Sequence, residues 1–336
     1  MSGVNHQFRL VARPVGVPKR DDWKCTESSI PEPRDGEFVA KILYISLDPA
    51  MRGWMREGKS YIPPVAIGDV MRALALGRVI ASKAASFSVG EYVYGPFGMQ
   101  EYAASNGAGV SKVDPMLAPL PVFLGTLGMP GMTAYFGLLD VGRPQPGETV
   151  VVSAAAGAVG SVVGQIAKIK GCIAVGIAGG KEKCEFVTKT LGFDAAIDYK
   201  SEDLVKSLKQ HCPKGIQVYF DNVGGDILDA VLTQITRGAR IVICGAISQY
   251  NNTGPVRGPS NYLSLLVNRA SMTGMVVIDY ADRFASAGRE MAGWMAAGKL
   301  KSREHIVKGF DTCPEAFLKL FQGENIGKLL LEVAEV

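Results

Sequence analysis

The clearest chemical capacity in this sequence lies in the run Ala154-Ala155-Ala156-Gly157-Ala158-Val159-Gly160. It follows an apolar run, Thr149-Val150-Val151-Val152-Ser153, and it opens a stretch in which Val159, Val162, Val163, Ile166 and Ile169 recur at helical spacing until Gly171. Strand, small-residue turn and helix in that order suit a diphosphate, which needs backbone N–H groups at a helix N-terminus and no side chains in the way. A glycine fingerprint alone is weak evidence, but this one has the strand before it and the helix after it. The competing reading is tight helix–sheet packing with no ligand.

The choice of dinucleotide turns on the end of the next strand. An NAD site places a carboxylate about 20 residues beyond the glycines to hold the ribose hydroxyls. Here the chain reads Ile177-Ala178-Gly179-Gly180-Lys181-Glu182-Lys183, with no acid at that place and two lysines at the helix start. A 2′-phosphate is accommodated where an aspartate would repel it, so the residues favour NADPH over NADH; taken singly, each lysine also fits a solvated helix face. Cys25, Cys172, Cys184, Cys212, Cys244 and Cys313 form no Cys-x-x-Cys pair, and none of His6, His211 and His305 stands beside a cysteine at zinc-ligand spacing. The expectation is therefore no metal, with the thiols reduced and packed as small hydrophobes.

These groups need a frame to hold them. Apolar runs recur at Thr149–Ser153, Ile173–Ile177, Ala195–Asp198, Val218–Asp221, Arg240–Cys244 and Met272–Val277, with charged helical stretches Glu182–Leu191, Glu202–Gln210 and Asp226–Thr236 between them. Such alternation predicts βαβ units and a doubly wound parallel sheet. Before about residue 120 the pattern changes to short β-rich runs, Phe38–Ile45, Ala75–Ala81 and Tyr92–Tyr94, separated by Pro and Gly, which predicts a barrel-like antiparallel domain. The tail holds a strand-like His305–Val307, a helical Pro314–Gln322 and a strand Leu329–Val333, expected to pack back on the first domain.

At 336 residues two domains are expected. Hydrophobic residues at 47% and charged residues at 20% place the chain among globular proteins. The net charge of +4 comes from scattered basic residues, so no nucleic acid partner is implied. The first residues lack a basic start and an apolar core, and the apolar stretch 149–169 is broken by Gly157, Gly160, Gly164, Gln165 and Lys168. No membrane association and a cytoplasmic location are expected.

Four further motifs carry a resemblance. Gly125-Thr126-Leu127-Gly128-Met129-Pro130-Gly131-Met132-Thr133-Ala134-Tyr135, Ala154–Gly164, Asp221-Asn222-Val223-Gly224-Gly225 and Cys244-Gly245-Ala246-Ile247-Ser248-Gln249-Tyr250-Asn251 stand in order along the chain, with Ser46-Leu47-Asp48-Pro49-Ala50-Met51-Arg52 before them and Gly323-Glu324-Asn325-Ile326-Gly327-Lys328 after. Over nearly its whole length the sequence resembles the medium-chain dehydrogenase/reductase superfamily, in the zinc-free branch of prostaglandin reductases, alkenal double-bond reductases and curcumin reductases. The resemblance implies an α/β protein: a GroES-like β-barrel domain from residues 1–124 and 300–336, plus an inserted Rossmann doubly wound parallel-sheet domain from residues 125–299. Zinc-dependent members carry a Cys and a Gly-His-Glu; this chain reads Ala75-Leu76-Gly77-Arg78 where the histidine would stand.

The resemblance also implies roles. Lys183 and Tyr199 contact the adenosine 2′-phosphate, Asn222 lines the cofactor channel, and Asn325 reaches the cofactor from the barrel domain. Main-chain atoms of Met275, Val276 and Val277 flank the nicotinamide amide. The turn residues Ala156, Gly157, Ala158, Val159 and Gly160, with Gly179, Cys244, Gly245, Ile247, Ser248 and Tyr250, complete the expected NADPH contacts. Tyr250 is the expected catalytic residue, because a phenol there hydrogen-bonds the enolate that forms when hydride reaches the β-carbon of a conjugated carbonyl substrate. Tyr61, Arg52 and Met129 are candidate substrate contacts, set against loop packing, a surface ion pair and interdomain packing respectively. In relatives the segment after Gly-Asp-Val-Met is glycine-rich, whereas Arg72-Ala73-Leu74-Ala75-Leu76 adds bulk here, narrowing the cleft or altering substrate preference. A homodimer is implied by the family alone.

The leading reading is an NADPH-dependent ene reductase. A quinone reductase of the same superfamily and a non-catalytic NADPH-binding protein remain as alternatives, since a nucleotide site does not define a reaction.

Overall fold

The computed structural model describes residues 3–335 and divides into two compact units, Met1–Leu124 with Glu304–Val336 and Gly125–Arg303. The second boundary falls later than residue 299, because Lys301 is still tied to the inserted unit: its N–H donates to Gln165 Oε1 at 2.7 Å, and Gln165 Nε2 donates to its carbonyl at 3.0 Å.

In the first unit, Val4–Leu10 and Trp23–Ser29 form an antiparallel pair in register Phe8 with Cys25, an element absent from the sequence-based expectations. A seven-stranded sheet runs in the order Glu304–Lys308, Lys328–Glu332, Phe38–Ser46, Ala75–Ser82, Tyr92–Gly95 and Ser111–Val113, with Tyr102–Ser105 also pairing with Phe38–Ser46. This is the GroES-like architecture. The long strand Phe38–Ser46 alternates little and is buried at almost every position, as expected of a strand covered on both faces. Its core partners include Leu10, Met51, Met55, Phe317 and Leu331. The helix Cys313–Gln322 sets Phe317 edge-on to Trp23 with centroids 5.9 Å apart.

The inserted unit is a Rossmann domain. Its six parallel strands lie in the order Ala195–Asp198, Ile173–Ala178, Thr149–Ser153, Ile216–Asp221, Ile235–Ile243 and Ser271–Gly274. The order reverses between Thr149–Ser153 and Ile216–Asp221, and ligands of such sheets bind outside the carboxyl ends at that point. All five residues of Thr149–Ser153 are buried, with one apolar cluster on each face of the sheet. The helix Gly160–Ile169 presses so closely that a Cβ at Gly164 would lie 1.8 Å from Phe193 Cζ.

Three expected elements depart from their predicted form. The helix after Gly180 runs as Lys181–Glu185 and widens into a π turn over Phe186–Thr190. The helix predicted to Thr236 ends at Leu232, because Ile235 already pairs with Ile216 in the sheet. The last strand stops at Gly274, where its neighbour ends at Ile243, and Val277 begins a 3-10 turn. Among the described residues no helix is long and apolar enough to cross a membrane.

Candidate nucleotide-binding site

Ala154 leaves the first strand of the Rossmann sheet with φ +51°, in the left-handed region that alanine enters at a cost of roughly 1–2 kcal/mol. That twist bends the chain under the start of the helix Gly160–Ile169. Gly157 N–H donates to Ala154 O at 2.9 Å, and a Cβ at Gly160 would lie 2.4 Å from the same oxygen. The first N–H groups of a helix have no partner within it. Those of Ala158, Val159 and Gly160 meet no main-chain acceptor outside it either, so they are donors aligned at the positive end of a helix. Ala156 is buried; Gly157, Ala158 and Val159 are half-buried. This turn fits a diphosphate.

At the next strand end, Gly179 makes room for a phenol. A Cβ there would stand 2.9 Å from Tyr199 Cε1, 3.1 Å from Tyr199 Oη and 3.0 Å from Lys200 Cε. Burial lowers the pKa of the Lys183 ammonium and the neighbouring Lys200 charge lowers it further. A lysine held down by burial and by a second cation, beside a hydroxyl, favours an anion nearby. The geometry fits a 2′-phosphate. Lys181, by contrast, is 90% exposed, with its ammonium 3.9 Å from Glu185. Asp198 is not the missing ribose acid: its carboxylate is taken by Gly180 N–H at 2.7 Å, Lys200 N–H at 3.1 Å and Ser201 Oγ at 2.8 Å.

The floor of the site is a buried polar network that sequence reading missed. Asn222 Nδ2 donates to Ser153 O at 2.8 Å and Asn222 N–H to Ser153 Oγ at 2.9 Å, so the channel residue is fixed to the strand that leads into the phosphate turn. Asp221 gathers four donors on one oxygen: Tyr219 Oη at 2.8 Å, Ser153 Oγ at 3.2 Å, and the N–H groups of Val223 at 3.0 Å and Gly224 at 2.9 Å. Burial raises the pKa of this carboxyl against those donors. Its main-chain carbonyl accepts from Cys244 at 2.9 Å and Gly245 at 3.1 Å.

The loop beyond Ile243 is anchored in the same way. Ile247 N–H donates to Asn222 O at 3.2 Å, and Ser248 donates to Val223 O through Oγ at 2.6 Å and N–H at 3.2 Å. Tyr250 Oη accepts from Ala246 N–H at 3.2 Å, and a Cβ at Gly245 would come within 2.9 Å of it. Cys244 is no thiolate, since burial pushes its thiol up to about 12. Met275 N–H donates to Ile243 O at 3.2 Å, and Val276 precedes the turn that starts at Val277. Met129 opens the helix Met129–Phe136, half-buried, its carbonyl accepting from Thr133 Oγ1 at 2.8 Å.

The remaining candidates belong to the first unit. Tyr61 is 54% exposed, and its hydroxyl accepts from Trp54 Nε1 at 3.3 Å. Asn325 Nδ2 donates to Gly327 O at 2.9 Å. Nearby, the buried Lys328 ammonium holds Leu47 O and Asp48 Oδ1, both at 2.8 Å, which joins the Asn325 turn to the Ser46–Arg52 motif. Arg52, expected as a substrate contact with a surface ion pair as the rival reading, is 1% exposed, and its guanidinium donates to the carbonyls of Pro14 at 3.1 Å and Gly16 at 2.9 Å, which removes the surface ion pair. Among the described residues no group of three or more His, Cys, Asp or Glu side chains is placed to hold a metal.

Residues 6–113 match the family described as the N-terminal domain of oxidoreductase, and residues 158–293 match that described as zinc-binding dehydrogenase. A barrel unit with an inserted nucleotide fold, matched in that order, defines a medium-chain oxidoreductase. The NADPH-dependent curcumin reductase of Escherichia coli is 42% identical over 98% of this chain and 97% of its own length. Prostaglandin reductase 1 of Bos taurus is 42% identical over 95% of this chain and 96% of its own. The crystal structure of CurA from Vibrio vulnificus in complex with NADPH superimposes with a TM-score of 0.93 at 45% identity, covering 98% of this chain and all of that one. The chain belongs to the medium-chain dehydrogenase/reductase superfamily, in the zinc-independent branch that holds the curcumin and prostaglandin reductases.

Proposed function

We propose that this chain, an NADPH-dependent oxidoreductase of that branch, reduces the carbon–carbon double bond of α,β-unsaturated ketones and aldehydes. When bound, NADPH supplies the hydride that adds to the β-carbon. The observation that carries the reading is the Tyr250 hydroxyl, held against Gly245 and Ala246 just beyond the carboxyl end of Ile235–Ile243. As negative charge grows on the substrate's carbonyl oxygen, the phenol donates a hydrogen bond to it. Its accepting lone pair is already used by Ala246 N–H, which fixes the oxygen's position.

The chain's own residues divide the remaining work. Ala156–Gly160 present main-chain donors to the diphosphate, Lys183 and Tyr199 take the 2′-phosphate, and Asn222, Cys244, Gly245, Ile247, Ser248, Met275, Val276 and Val277 line the nicotinamide end. Asn325, Tyr61 and Met129 complete the site, with the unit formed by Met1–Leu124 and Glu304–Val336 as substrate domain. Six unpaired cysteines agree with a cytoplasmic setting. The chain works as a homodimer through its open edge strand Ser271–Gly274 and the adjoining apolar face, where Leu263, Leu266 and Val267 are 56%, 74% and 67% exposed; light scattering of L266D would then report a monomer.

The deciding experiment supplies 4-deuterated NADPH with a panel of enones. Deuterium at the product's β-carbon is expected. Label on a carbinol carbon, or a preference for benzoquinone by orders of magnitude, overturns the reading.

A further inference from the structure

The strands Ile173–Ala178 and Ala195–Asp198 run parallel and end in register, Ala178 beside Asp198. Two turns leave that pair. One carries Gly179, Gly180 and Lys183, and the other carries Tyr199 and Lys200. Lys183 and Lys200 act on each other through space, and like charges on two separate turns repel. A site that closes on one phosphate from both turns therefore needs a tie between them.

Asp198 supplies it. Its Oδ1 accepts Gly180 N–H at 2.7 Å from the first turn and Lys200 N–H at 3.1 Å from the second, so a single oxygen spans both. Its Oδ2 accepts from Ser201 Oγ at 2.8 Å. Gly180 makes its bond at φ +96°, a conformation that other residues rarely adopt. Asp198 is itself held: its N–H donates to Glu202 Oε1 at 2.9 Å, and its carbonyl accepts the N–H groups of Ser201 at 3.1 Å and Glu202 at 2.9 Å. Glu202 Oε2 in turn accepts from Ser207 Oγ at 2.7 Å.

The Gly180 N–H, followed by Ser201, the Lys200 N–H and the Lys200 charge, holds the Asp198 carboxyl below the usual carboxylate range. Its negative charge is thus shared among donors, which damps the repulsion that an unpartnered aspartate would exert on a phosphate nearby.

We infer that Asp198 is the positioning residue of the 2′-phosphate site, tying the Lys183 turn to the Tyr199–Lys200 turn so that both close on one phosphate. It acts through the two turns and not by touching the cofactor. This rests on the reading that Lys183 and Tyr199 bind that phosphate.

The test needs no turnover. Calorimetric titration with adenosine 2′,5′-bisphosphate and with adenosine 5′-monophosphate reads what the 2′-phosphate adds to binding. Asp198→Ala should lower the preference for the bisphosphate by roughly tenfold, the scale of a hydrogen-bonded charged contact, with a much smaller change for the monophosphate. Asp198→Asn keeps Oδ1 as the acceptor for both N–H groups and should recover most of the preference. Asp198→Glu keeps the charge but displaces the oxygens, and should not recover it. A preference unchanged in D198A, an equal loss for both nucleotides, or D198N as impaired as D198A overturns the inference. If D198A does not fold, D198E against D198N decides the same question. K183A separates the site from its support. A preference lost in K183A but kept in D198A overturns the role of Asp198 alone, whereas a preference kept in both places the 2′-phosphate elsewhere and removes that role with it.

Discussion

Asn222 is hydrogen-bonded twice to Ser153, through its side-chain amide and through its own main-chain N–H, across two adjacent parallel strands. The residue expected to line the cofactor channel and the residue that leads into the phosphate turn therefore move as one piece. Ser153→Ala removes the hydroxyl shared by Asn222 and Asp221 and leaves buried polar groups short of partners, at a cost of about 1–3 kcal/mol. Urea unfolding should read that loss. NADPH affinity, followed by fluorescence titration, should weaken several-fold; an unchanged affinity would separate the network from binding.

Asp221 should leave a signature in pH. Burial holds its carboxyl above the usual range, so the folded protein keeps a proton at a pH where the unfolded chain has released it. The stability this contributes is complete below about pH 4 and is lost as pH rises through the folded pKa. In Asp221→Asn the oxygen that collects the four donors is retained and the titration is gone. The difference in unfolding free energy between wild type and D221N should narrow as pH climbs through that window. A constant difference contradicts the raised pKa.

Lys183 bears on cofactor choice. Lys183→Ala should raise KM for NADPH at least tenfold, with a much smaller change for NADH, because only the 2′-phosphate contact is lost. Equal changes for both cofactors would place Lys183 outside the phosphate site.

Tyr250→Phe removes the phenolic donor and the acceptor for Ala246 N–H together. Loss of an oxyanion donor corresponds to roughly 10²-fold in kcat. The measurement is kcat with a saturating enone, alongside KM for NADPH. Turnover at the wild-type rate would remove Tyr250 from the chemistry.

Gly164 offers a packing test. Gly164→Ala drives a methyl into the Phe193 ring and should cost about 1–3 kcal/mol of stability. Phe193→Leu should recover part of that loss in the double variant, and strict additivity of the two changes would argue against the contact.

The phosphate turn is legible in the sequence because its logic is local: an apolar strand, small residues and an amphipathic helix follow one another within a few turns of chain. The roles of Lys183 and Tyr199 come from the resemblance to the family, each residue standing past a strand end. Ser153 and Asp221 are not legible, since their contact joins strands far apart in sequence and neither residue has a distinctive spacing. Lys200, beside Tyr199, carries no signal of its own, although it acts on Lys183 through space. Arg52 reads as a substrate contact or a surface ion pair after Asp-Pro, and only tertiary packing reveals that loop carbonyls receive its guanidinium. The strand expected over Met272–Val277 is shortened by its neighbour's length, which no property of its own residues encodes.

The barrel's central strand Phe38–Ser46 takes as its neighbour Lys328–Glu332, almost the whole chain away, whereas residues 125–303 close their sheet from contiguous chain. On the ribosome the inserted unit can fold as soon as it emerges, while the Tyr44–Ser46 end of the barrel strand waits with one edge unpaired until the last residues have been made. Refolding should accordingly show two phases, the slower belonging to the discontinuous unit, because its long loop closure precedes any contact that rewards it.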